Sequence, residues 1–143
     1  MDPHVEFDYR GRRVTLLYSM DVLFDASEKF GTVRDMLNLL GRESREGVEA
    51  VRWLILRMAH EGELARRENG ETPQPDLPAD WIPVRIRPAE YLLLRDACMQ
   101  AVEQGYRREE QDDEETEIDE GLAELQAKKA GDEPTARRSR TAG

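Results

Sequence analysis

One cysteine and two histidines in 143 residues leave little from which to build a metal cluster, and no disulfide can close within the chain. The lone Cys98 points to a reducing, intracellular setting. Met1–Arg13 is densely charged and has no apolar centre, so no signal peptide is expected there. No apolar run approaches the roughly 18 residues of a membrane span, and no membrane partner is expected. A glycine-rich phosphate loop is also missing. Gly41, Gly47 and Gly62 fall at helix ends or inside helical patterns, without the lysine and hydroxyl such a loop needs. Basic charge is in deficit, with 21 basic against 31 acidic side chains and a net charge of −10. Nucleic acid is therefore not an expected partner, because phosphate binding needs a concentrated positive field.

The same scarcity weakens catalysis. His4 and His60 are far apart in sequence and neither has a ligand at metal-binding spacing. Cys98 sits on an apolar helical face, whereas a nucleophilic thiol needs a base and a partly exposed, electropositive site. Asp112–Glu115 lacks the glycine and spaced oxygens of a calcium loop. Glu61 and Glu63 read as ordinary carboxylates on a charged helix. No catalytic residue, metal or cofactor is assigned, and an enzyme is not expected.

What is present is unevenly spread. Residues 1–108 carry 16 basic and 19 acidic side chains, and residues 109–143 carry 5 and 12. Glu109–Glu120 holds nine carboxylates and no base, a run that repels itself and has little to bury. The expected organisation is a compact domain over 1–108 and an acidic, mostly disordered tail over 109–143. Within that tail, Ile118, Leu122 and Leu125 line one side of a possible short amphipathic helix over 116–127. This island reads either as a docking motif that folds on binding or as a weak helix lying on its own domain.

The body reads as α+β and mainly helical. Val5, Phe7 and Tyr9 alternate with charged residues, as do Val14, Leu16 and Tyr18 with their neighbours, which predicts an opening β-hairpin turning at Gly11 and Arg12. About four helices follow. Ser19 caps the first, whose face is read as Met20, Leu23, Phe24, Ser27 and Phe30. Thr32 and Asp35 form a capping box for the second, with Val33, Met36, Leu37 and Leu40 on its face. The long third helix starts at Ser44 and runs to Arg67, with Gly62 a point where it can kink or end. Asn69–Asp80, with three prolines, reads as a loop. Trp81–Ile86 is a short extended stretch. Pro88 opens a last helix that buries Tyr91, Leu94, Cys98, Ala101 and Val102.

The third helix is the most informative element, because it is apolar on two sides. At about 100° per residue, Val48, Val51, Leu54, Ile55, Met58 and Ala59 form one stripe. Trp53, Leu56, His60 and Leu64 form a second, roughly opposite. A surface helix in a small domain needs only one buried stripe. The second is either covered by the rest of the chain, as for a central helix, or it faces a partner. Trp53, Leu56, His60 and Leu64, with Ile118, Leu122 and Leu125, are the candidate partner-binding residues.

The order of segments resembles the small tail assembly chaperones of long-tailed bacteriophages and prophages, the group common in Gram-positive bacteria. It rests on RRVTLLYSMDVLFDASEKFGTV (Arg12–Val33), EAVRWLILRMAHEGELARR (Glu49–Arg67), VRIRPAEYLLLRDA (Val84–Ala97) and ETEIDEGLAEL (Glu115–Leu125). The resemblance implies a protein of the host cytoplasm that coats helical apolar segments of the tape-measure protein before the tube polymerises. It also implies departure as the tail tube protein arrives. Such families share no active-site residues, so none is carried over. In many phages a ribosomal frameshift near the end of the chaperone gene extends some copies, and the pair Lys128–Lys129 is where a slip would fall here. Self-association is a further possible property. The alternatives are a structural or connector subunit of the virion and, more weakly, a small transcriptional regulator, which would need a basic recognition helix.

Overall fold

The computed structural model describes residues 4–108. The order is β1 (His4–Tyr9), β2 (Arg12–Leu17), α1 (Met20–Phe30), α2 (Val33–Leu40), α3 (Arg45–Glu68) and α4 (Pro88–Gly105). This is the expected hairpin followed by four helices. The tail 109–143, the helix read over 116–127, and with them Ile118, Leu122 and Leu125, lie outside the described residues.

The hairpin is antiparallel, with Tyr9 opposite Arg12 and His4 opposite Leu17. Its turn is Arg10–Gly11 rather than Gly11–Arg12. Both turn residues have positive φ, 51° and 79°. A two-residue turn of that hand matches the right-handed twist of the strands, and it returns Arg12 to the ladder.

Side chains close the helix starts as the sequence predicts. Ser19 Oγ accepts from the Val22 N–H at 3.3 Å, and Ser44 Oγ from the Gly47 N–H at 3.0 Å. Thr32 and Asp35 exchange two hydrogen bonds, 3.1 and 3.0 Å, in a complete capping box. Pro88 occupies the first turn of α4.

α3 is the axis of the core. Ala50, Val51, Leu54, Ile55, Met58 and Ala59 are buried, and α4 packs beside them through Tyr91, Leu94, Ala97, Cys98, Ala101 and Val102. The Tyr91 hydroxyl faces Gly47 and the Cys98 thiol lies 3.8 Å from the Val51 carbonyl, so α4 runs parallel to α3. That hydroxyl lies against the carbonyls of Leu40 and Arg42, 2.6 Å from the latter, and can donate its one proton to either. It thereby ties the end of α2 to α4. Gly62 does not end α3, which continues to Glu68. It is the point where the helix meets β2.

α1 runs antiparallel along α3: Ser19, Asp25 and Phe30 meet Glu61, Arg57 and Trp53 in that order. Its buried residues are Val22 and Ala26, with Leu23 and Phe30 partly covered, while Met20 and Phe24 are exposed. The face read from the sequence is therefore rolled. Val22 and Ala26 go inward, and Asp25 between them in sequence pairs with Arg57 of α3 at 2.8 Å. Trp81 and Ile82 are buried, with Trp81 edge-on to Tyr9 at 5.2 Å, but 81–86 adds no strand to the sheet. Among the described residues, no helix is long and apolar enough to cross a membrane, and no group of three or more His, Cys, Asp or Glu could hold a metal ion.

Candidate functional site

The second stripe of α3 is covered unequally along its length. At its N-terminal end Trp53 packs edge-on against Phe30, ring centroids 5.4 Å apart at 84°, with Lys29 Nζ 5.6 Å from the indole. Leu56 is half-buried. His60 is exposed, and Leu64 is 41% exposed. Trp53 is thus largely part of the α1–α3 packing, while Leu56, His60 and Leu64 open toward solvent in a line.

Two grooves meet at Leu56. One, of about 490 Å³, lies over Trp53 beside Phe30, Leu39 and Arg52. The other, about 290 Å³, takes in Leu56, His60 and Leu64, with Arg12 and Val14 of the hairpin on one side and Gln74–Ala79 on the other. Its lining is mixed, with Val14, Leu56, Leu64 and Leu77 beside Arg12, Glu63, Arg67 and Asp76. Such a surface suits an amphipathic helix or an extended apolar segment.

The proline-bearing segment that walls this groove is strapped to α3 through Glu63. Its carboxylate accepts from the Gln74 N–H at 2.7 Å, from Arg66 at 2.7 Å and from Arg67 at 2.9 Å. Arg66 donates onward to the Thr72 carbonyl and Arg67 to the Gln74 carbonyl, each at 3.1 Å, and Arg12 reaches the Pro75 carbonyl. Burial pushes the Glu63 carboxyl up, but these hydrogen bonds outweigh it and hold the group below the usual range. Glu61 behaves alike. Burial raises it, and the Ser19 hydroxyl at 2.6 Å with Arg57 at 3.0 Å brings it lower on balance.

Glu61 and Glu63 are therefore not ordinary surface carboxylates. They fix α1 and the 69–80 segment to the two flanks of the second stripe. Part of this was available in sequence: Arg57–Glu61 and Glu63–Arg67 stand four apart on one helix, and Glu63–Arg66 three apart. The partners outside the helix, Ser19, Asp25 and Gln74, left no periodic trace. Cys98 is fully buried and its thiol is pushed far up by burial, as suits a core residue. No family model, curated protein or solved structure matches this chain.

Proposed function

We propose that this protein binds helical, apolar segments of another protein along the Leu56–His60–Leu64 face of α3, and that it serves as a tail assembly chaperone for a phage tape-measure protein in the host cytoplasm. The observation that carries the binding role is that face itself. A 24-residue helix already buried on one side leaves a second line, Leu56–His60–Leu64, open between the hairpin and the strapped 74–79 segment. A helix with apolar residues at i, i+4 and i+7 fits such a line. The tape-measure partner rests on the resemblance in segment order, and release as the tube protein arrives follows from the same source.

The test is co-purification of the full chain with apolar helical segments of a phage tape-measure protein. Capture of apolar helical segments by the wild type, weakened at least tenfold by Leu64→Asp with the fold intact, supports the reading. Equal capture by Leu64→Asp removes the α3 face from it. Recovery of the chain in purified virions favours a structural or connector subunit instead.

A further inference from the structure

A second exposed surface lies at the opposite end of α4 from the last described residue. Trp81–Pro88, WIPVRIRP, contains two arginines and no acid. Val84 is 78% exposed and Leu93, in the second turn of α4, 51%. The side chains of Arg85 and Arg87 are exposed and make no hydrogen bond or ion pair among the described residues, whereas those of Arg13, Arg57, Arg66 and Arg67 are all paired. The flanking carboxylates Asp80 and Glu90 form no ion pair with either arginine, and Glu90 accepts from the Tyr9 hydroxyl. In a chain of net charge −10 this is an apolar edge carrying two uncompensated cations.

The same chain holds a segment of opposite character. In Glu117–Leu125 the apolar Ile118, Leu122 and Leu125 stand among Glu117, Asp119, Glu120 and Glu124, with no base. We infer that the Val84–Arg87 edge, with Leu93, is the docking surface for Glu117–Leu125 of the same chain. Charge complementarity is one ground. Reach is the other. The 18 residues of α4 rise about 27 Å. The eight residues Glu109–Thr116 span at most about 26–29 Å when extended. Like charges along a linker favour extension. Fully extended, the acidic run is thus just long enough to retrace α4 and bring the apolar island to the Arg85 end. The docked segment is withheld from other partners. This edge is distinct from the α3 stripe, so the inference stands apart from the chaperone reading.

The test uses the full chain, 15N-labelled, with Ala123→Cys carrying a nitroxide. Cys98 is fully buried, so the reagent goes to the introduced thiol. The expected result is that the amide signals of Val84, Arg85, Ile86 and Leu93 lose at least half their intensity. They should recover in 0.5 M salt (about a 4 Å screening length) and in the exposed double variant Arg85→Glu/Arg87→Glu. Ile118→Ser/Leu122→Ser, which leaves the body untouched, should restore them too. Unchanged signals would overturn the inference, as would loss centred on Leu56–Leu64. Equal loss when 15N chains without the nitroxide are mixed with unlabelled chains that carry it assigns the contact to a second copy and also overturns it.

Discussion

Gly62 of α3 lies so close to Thr15 of β2 that a Cβ on the glycine would sit 1.9 Å from the Thr15 carbonyl oxygen and 2.5 Å from its carbonyl carbon. The obstacle is backbone on both sides, so no rotamer change relieves it. In an isolated helix, alanine is favoured over glycine by about 1 kcal/mol. Here the order reverses. Gly62→Ala should destabilise the protein by about 2 kcal/mol or more, the scale of overpacking in a closed interior. Chemical denaturation of the variant checks this, and an unchanged or raised midpoint refutes it.

The two stripes of α3 should respond differently to charge. Ile55 is fully buried, and Ile55→Asp leaves an unpaired charge in the core, which should unfold the domain. Leu64 is 41% exposed, and Leu64→Asp should shift the thermal midpoint by no more than about 3 °C, the scale of a surface change. Circular dichroism melts of the two variants make the comparison. Equal damage from both would return the second stripe to the core.

Acid should loosen the flanks of the stripe first. Glu61 and Glu63 have folded-state pKa values below the ordinary 4.5, held down by their hydrogen bonds and ion pairs. A carboxyl depressed in the folded state stabilises fully above its unfolded pKa, and that contribution is lost as pH falls through the folded value. The thermal midpoint should therefore be flat down to about pH 5 and decline below about pH 4.5. Glu63→Gln should lower the midpoint at pH 7, and its gap to wild type should be narrower at pH 3. A variant that stays equally destabilised at both values would show that Glu63 acts by shape and not by charge.

Arg10 occupies the left-handed region with φ 51°, where a side chain other than Asn, Asp or Gly is strained. Arg10→Asn gives the hairpin the dipeptide its turn prefers. It should stabilise the protein by up to about 1 kcal/mol, measured as a rise in denaturation midpoint at unchanged slope.

Much of the fold is readable in the chain because its signals are local. Alternation gives both strands, and Ser19, Thr32–Asp35, Ser44 and Pro88 mark the helix starts where they are found. The buried face of α4 follows from spacing. The inward face of α1 is not legible in spacing, because a facing direction is tertiary. Met20 and Phe24 are the larger apolar residues, yet Val22 and Ala26 go inward, where small side chains permit close approach. The second stripe of α3 is legible as a pattern. How much of it stays open is not, because that depends on Phe30 swinging over Trp53 and on Glu63 holding a segment eleven residues further along.

The strapping of residues 72–75 to Glu63, Arg66, Arg67 and Arg12 sets the thermodynamic character of the groove. A segment rich in proline and held at four carbonyl or amide points has little conformational freedom left to lose. Association then costs mainly the ordering of the incoming chain, and the encounter need not wait for a wall to form. Cutting the straps, as Glu63→Gln does in part, should slow capture as well as weaken it, because the receiving surface would have to be assembled anew at each encounter.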